Sequence, residues 1–287
     1  MDDFVRNATA LEGVPFTKMT GSGNDFVFFD AREAPADILS SPDIIAAICN
    51  RYNGIGADGL VILEAAMPTA DARILYFNSD GSLADLCGNA TLCATALCAA
   101  LEISNPAGMR LATPAGIISS RVDSNEPEID LPPVGDVRPS LPIALAGSET
   151  RIGFANAGIP HIVVLCDDAE NIDIAARGPA LRHHSAVSPA GANVNWVSAL
   201  PDGRWRYRTF ERGVEGETLA CGTGAVATAI LLSTWALVSL PVTIRTSSGR
   251  DLAVRFREQR QPAAGLLPTL RGEGRVVFRG VLKTLLR

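Results

Sequence analysis

Residues 86–101 read LCGNATLCATALCAAL, and residues 219–240 read LACGTGAVATAILLSTWALVSL. The first run carries no charged side chain, and neither does the wider span 218–244 around the second. Both are rich in Ala and Leu, so both read as helices. Both are apolar all the way round, and such a helix either spans a membrane or is buried on every side. The second run meets the crude length test for a span, about 18 residues. Gly222 and Gly224 at its start, the small polar residues Thr223, Thr228, Ser233 and Thr234, and Pro241 near its end favour burial, with a helical part of roughly 16 residues, short of a span.

The two runs echo each other. Cys87-Gly88-Asn89-Ala90 matches Cys221-Gly222-Thr223-Gly224, and Ala-Thr-Ala follows at 94–96 and at 227–229. Nearly half the chain separates the two copies, which implies two similar domains, each built around one apolar helix. The segments between are short β-rich runs bounded by Gly, Pro, Asn or Asp, among them FVFFD, GLVIL, RILYF, IVVLC, VNWV and RWRYRTF. A parallel βαβ architecture would need more amphipathic helices than these. The expected class is therefore α+β, with two pseudo-symmetric domains. Each would be a mostly antiparallel β-sheet or barrel wrapped around a central hydrophobic helix, with the active site in the interdomain cleft. Pro132-Pro133 marks the boundary, giving domains at 14–132 and 133–275, and a last strand at about 276–287 returns to the first. Residues 1–13 read as a loose tail.

Composition narrows the function. The chain has 287 residues, 47% apolar and 20% charged, enough for a packed core. Net charge is −6 and the 25 basic residues are scattered, so no stripe is available to neutralise a nucleic-acid backbone. The opening residues lack the apolar core of a secretory signal, and the expected location is cytoplasmic. Lysine occurs only at Lys18 and Lys283, neither in a context suited to a Schiff base with pyridoxal phosphate. No cofactor and no metal are expected. The partner expected is a small amino-acid substrate, not a nucleic acid or a membrane, with a homodimer as the assembly.

The six cysteines are too few for a disulfide scaffold, and none forms a C-x-x-C pair. Cys49, Cys93, Cys98 and Cys166 read as small buried hydrophobes. Cys87 and Cys221 differ because each falls at the first turn of its helix, where unpaired N–H groups and about half a positive charge gather. That place favours a thiolate and a bound carboxylate. Two thiols aimed at one carbon suit removal and return of a proton on opposite faces. The helix terminus supplies only about 0.3–1 kcal/mol, so exclusion of water and a neighbouring carboxylate or imidazole must also act. One thiolate disfavours a second, which keeps an acid in place.

At these residues the chain resembles the diaminopimelate epimerase family. The similarity rests on FTKMTGSGNDF at 16–26, RYNGIGADGL at 51–60, NSDGSLADLCGNATLC at 78–93 and GIPHIVV at 158–164. It continues through NVNWV at 193–197, RTFERGVEGETLACGTGA at 208–225 and LRGEGRVVFRG at 270–280. The resemblance implies epimerisation of LL-2,6-diaminopimelate to the meso form without pyridoxal phosphate. It implies Cys87 and Cys221 as the acid–base pair, with His161 beside one cysteine and Glu211 beside the other. The amides of Gly88-Asn89 and Gly222-Thr223 would hold the reacting carboxylate. Asn24, Asn78, Asn193, Glu211 and Arg212 would recognise the distant end, Arg212 through its planar fork. Taken singly, the asparagines also fit turns, Glu211 and Arg212 a surface pair, and His161 a satisfied core residue. Asp25, Asp58 and Asp80, in Gly-rich loops, read as structural, and His183 and His184 as solvent-facing.

The chain departs from the family pattern at Thr20 and Ser22 (usually His and Leu), at Ala90 and Leu92 (usually Gly and Arg), and at Ile159 (an Asn in many members). The ERGVEGET segment is one residue longer than its commonest form. The alternative activity is a racemase of proline, hydroxyproline or histidine on the same fold, which Arg212 with Asn78 and Asn193 disfavours. Isomerase relatives without the thiol pair and a non-catalytic binding protein are further readings. Solvent deuterium at the substrate's Cα would separate them.

Overall fold

A computed structural model describes residues 2–257 and 267–285. The chain divides into two compact units, Met1–Ile129 with Glu273–Arg287, and Asp130–Gly272.

In the first unit, strand Pro15–Gly21 pairs antiparallel with Arg275–Val281 on one side and with Asn24–Asp30 on the other. The sheet continues through a parallel pairing of Asn24–Asp30 with Gly59–Glu64 and an antiparallel one with Ala72–Asn78. A second parallel pairing joins Ala72–Asn78 to Met109–Thr113, and antiparallel Gly116–Asp123 and Glu126–Asp130 follow. The second unit repeats this order. Glu149–Asn156 takes Gly135–Arg138 and Pro160–Cys166 antiparallel, and Pro160–Cys166 takes Asn193–Ala199 parallel. Trp205–Glu211 then pairs antiparallel with Asn193–Ala199 and parallel with Val242–Arg245, before antiparallel Asp251–Arg257 and Leu267–Arg271. The echo in sequence is thus a duplication of topology: α+β, mostly antiparallel, with two parallel pairings at matching places in each half.

Each unit holds one helix buried nearly all round, Gly88–Ala100 in the first and Gly222–Thr234 in the second. At 13 residues each they are shorter than the sequence suggested, because Trp235 caps the second and the chain reverses at Ala236, where φ is +58°. Among the described residues, no helix is long and apolar enough to cross a membrane. The two threonines of the first helix are satisfied locally: Thr91 Oγ1 donates to the Cys87 carbonyl and Thr95 Oγ1 to that of Thr91, both at 2.8 Å.

The central strands, such as Asn24–Asp30 and Gly59–Glu64, are apolar on both faces because both faces are covered. Phe26 and Phe28 of the first unit join Met19, Val61 and Ile74 against Ala90, Cys93, Ala94 and Leu97 of the helix. Their neighbours Val27 and Phe29 point the other way, into a second layer with Ile44, Ile45 and Ile48 of helix Pro42–Cys49. Residues 1–13 correct the reading as a loose tail. Asp3–Ala10 is a helix whose N-cap Asp2 accepts from the Phe4 amide, and it presses Phe4, Ala8 and Leu11 into that second layer. Its apolar positions are spaced 4, 8 and 11, an amphipathic period too short to stand out in sequence. In the second unit, helix Ile174–Arg182 covers the corresponding outer face, with Ile174 and Leu181 packed on Ile162, Val164, Val194 and Trp196.

Candidate active site

Cys87 and Cys221 are the N-cap residues of the two buried helices. Their backbones are nearly identical, φ −126° and ψ 115° at Cys87 against φ −134° and ψ 112° at Cys221. Helix geometry leaves the amides that follow, Gly88-Asn89 and Gly222-Thr223, without acceptors inside the helix. Both sulfurs therefore sit where a negative charge is favoured. The other four thiols sit in apolar layers. Burial pushes Cys49, Cys98 and Cys166 up to about 12, and Cys93 well above its ordinary value. All six cysteines are free thiols.

On the Cys87 side, Asn89 is buried and its Nδ2 donates to Asn24 Oδ1 at 2.7 Å. Asn24 Nδ2 in turn donates to Asp58 Oδ2 at 3.0 Å. Asp58 and Asp25 share Arg51, and the Asp25 carboxylate also takes the buried Lys18 ammonium at 2.7 Å. Burial pushes the Asp25 carboxyl up, but the Arg51 and Lys18 contacts outweigh it and hold it below its ordinary value. The strand Pro15–Gly21 passes close over the helix start: a Cβ on Gly21 would lie 2.8 Å from the Asn89 carbonyl and 2.9 Å from Cys93 Sγ. Asn78 ends its strand exposed, donating to Ser82 Oγ at 3.0 Å in a turn that Asp80 also braces. The structure thus joins Asn24 to Asn89 and ties the Asn78 side chain to Ser82.

On the Cys221 side, Thr223 Oγ1 lies 3.5 Å from Cys221 Sγ and 3.0 Å from His161 Nε2. His161 is fully buried, which lowers its pKa to about 3, with the nearby Arg212 charge adding to the effect. The imidazole is neutral at physiological pH. Asn193 Nδ2 stands 4.0 Å from Cys221 Sγ, and its Oδ1 accepts from the Arg212 amide at 2.8 Å. Arg212 itself is exposed, its Nη1 donating to the Ala190 carbonyl at 3.4 Å. Glu211 accepts from the Thr218 hydroxyl. His161 reaches Cys221 through Thr223, and both His161 and Glu211 belong to the second unit. Of the remaining histidines, His183 is exposed, and the half-buried His184 accepts from the Ala186 amide through Nδ1.

Three residues of this half-site were missed in sequence: Asn195, Tyr207 and Thr209. All are fully buried and hydrogen-bonded to one another. Strand alternation was the available signal, since Asn195 shares a face with Asn193. Ala90 and Leu92, departures from the family pattern, are fully buried, and Ile159 lies in the turn between Glu149–Asn156 and Pro160–Cys166, its carbonyl accepting from Ala157.

The fold is one shared with solved structures of distant sequence. Bacillus anthracis phenazine biosynthesis protein of the PhzF family superposes with a TM-score of 0.71 at 14% identity, over 94% of this chain and 99% of that one. A hydroxyproline epimerase from Agrobacterium vitis gives 0.66 at 17%, over 93% and 91%. Sequence then fixes the family. The diaminopimelate epimerase family model matches residues 16–134 and 153–262. A diaminopimelate epimerase of Gemmatimonas aurantiaca is 62% identical over 94% of this chain and 99% of its own. That of Aquifex aeolicus is 37% identical over 85% and 90%. The chain belongs to the diaminopimelate epimerase family.

Proposed function

We propose that this protein is an isomerase that interconverts LL- and meso-2,6-diaminopimelate, using Cys87 and Cys221 as a thiolate–thiol pair. The observation that carries the reading is the shared N-cap position of the two cysteines on duplicated, buried helices. Whole-length identity of 62% to a diaminopimelate epimerase supports the substrate. In the proposed step one thiolate takes the Cα proton as S–H forms and C–H breaks. The electron pair left on Cα is delocalised into the adjacent carboxylate, whose charge the helix amides stabilise. The opposite thiol gives its proton to the other face, so the two sulfurs exchange states and no net proton is consumed.

The Gly88-Asn89 and Gly222-Thr223 amides would bind the reacting carboxylate. Asn24, Asn78, Asn193, Glu211 and Arg212 would read the distant amino and carboxylate groups. Lysine and cell-wall precursor synthesis is the role this reaction serves, with a cytoplasmic location and a homodimer as the accompanying expectations. Turnover assays on LL-diaminopimelate beside proline, hydroxyproline and histidine test the reading, which predicts activity on the first. Activity on histidine alone would overturn it.

A further inference from the structure

The Cys221 half-site contains a hydrogen-bond chain whose direction can be read from its donors and acceptors. Its fixed point is Asn195, fully buried on strand Asn193–Ala199. Its Nδ2 donates to the Ile162 carbonyl at 2.8 Å, and a carbonyl can only accept. Its Oδ1 receives the hydroxyls of Tyr207 at 2.8 Å and Thr209 at 3.0 Å. The amide therefore has one orientation, and the second N–H of Nδ2 points at His161 Nδ1, 3.2 Å away. That ring nitrogen must be the acceptor, so the proton of the neutral imidazole sits on Nε2. Nε2–H then donates to Thr223 Oγ1 at 3.0 Å, which leaves the Thr223 hydroxyl hydrogen free to turn toward Cys221 Sγ at 3.5 Å.

We propose that Asn195 is a positioning residue that locks His161 in its Nε2–H tautomer, and that His161 thereby acts as a neutral donor that aims the Thr223 hydroxyl at the Cys221 thiolate. The inference deepens the two-thiol reading and rests on it for its meaning in catalysis. A hydroxyl that already accepts a hydrogen bond is a stronger donor, and donation to a thiolate stabilises the charged form. With its proton on Nε2 and Nδ1 accepting from Asn195, His161 is accordingly no proton acceptor for Cys221. The low proton affinity that burial gives the ring agrees with that role.

The surroundings are built for this arrangement. The Tyr207 hydroxyl, whose hydrogen goes to Asn195, also lies 3.3 Å from the Cys221 carbonyl, which sets the network against the N-cap itself. A Cβ at Gly224 would lie 2.1 Å from the Tyr207 hydroxyl and 2.5 Å from Asn195 Oδ1. The matching position of the first unit is Ala90, which packs in an apolar cluster with Phe26, Phe28 and Cys93. Besides His161 and Cys221, the titratable or charged groups Tyr207, Glu211 and Arg212 bear on this half-site.

The test reads the tautomer directly. ¹⁵N NMR of the histidine-labelled full chain, with His161 assigned by its loss in His161→Gln, should show protonated Nε2 and bare Nδ1. In Asn195→Asp, whose ionised carboxylate can only accept, the proton should move to Nδ1. Alkylation of Cys221 by iodoacetamide at fixed pH, followed by peptide mass, should slow about tenfold in Asn195→Asp and in Thr223→Val. Thr223→Ser, which keeps the hydroxyl, should restore the rate, an outcome that loss of packing alone would not give. A bare Nε2 in the wild type, or unchanged Cys221 reactivity in Thr223→Val, would overturn the inference. Absence of epimerisation in a protein with protonated Nε2 would instead overturn the proposed reaction.

Discussion

Cys87 and Cys221 occupy one and the same structural position in two copies of a single topology: each is the extended N-cap of a 13-residue helix buried in its own sheet. Equivalence of place does not make the two sulfurs chemically equal. Cys221 has Thr223 beside it, with His161 behind, and the matching residue in the first unit is Asn89, whose side chain turns to Asn24. A reaction that needs one thiolate and one thiol is served by that difference.

Replacing either N-cap thiol should abolish epimerisation. Loss of a positioned acid or base typically costs about 10²- to 10⁴-fold in rate, and steady-state kinetics of Cys87→Ala and Cys221→Ala should show a fall in kcat at least that large. Thermal unfolding should change little in Cys87→Ala, whose sulfur is only half-buried.

Gly224→Ala should destabilise the protein although it removes a helical glycine. Helix propensity alone would stabilise by up to about 1 kcal/mol. Forcing an atom into filled space costs about 1–3 kcal/mol, and the contacts at 2.1 and 2.5 Å decide the sign. Ala90→Gly, at the matching position of the first unit, should destabilise by about 1 kcal/mol through propensity. Urea melts of the two variants check both directions.

The duplication, the two helices and their cysteines were legible because each signal is local: a charge-free run, a repeated tetrapeptide, a glycine after a cap. Asn24, His161 and Asn193 were legible through family resemblance rather than through spacing. What stayed hidden was pairwise. The role of Asn195 depends on Thr209 lying opposite it in antiparallel register and on Tyr207 two residues along, and nothing within NVNWV marks that. The N-terminal helix was hidden for another reason, since eight residues cannot show a period and its stability comes from the layer it covers.

That layer gives its own prediction. Leu11 is fully buried in it, so Leu11→Ala should cost about 2–5 kcal/mol. A loose tail would give no change in the denaturation midpoint.

His161 should leave a signature in stability against pH. The fold holds it neutral down to about pH 3, whereas the unfolded chain takes up a proton near the ordinary value of 6.5. Between those two values the unfolded state binds more protons at this site, so stability falls as pH falls, by at most about 1.4 kcal/mol per pH unit. The slope from this group fades above pH 7, as the unfolded imidazole loses its proton. Subtracting unfolding free energies of His161→Gln from those of the wild type between pH 7 and 5 should isolate it.

The measurement that bears most directly on the central claim is the fate of deuterium in D₂O with LL-diaminopimelate at low conversion. Two thiols acting from opposite faces should place solvent deuterium at the inverted centre of the meso product, while recovered substrate stays unlabelled. Label entering recovered substrate as fast as product, or wild-type turnover in Cys87→Ala or Cys221→Ala, would contradict it.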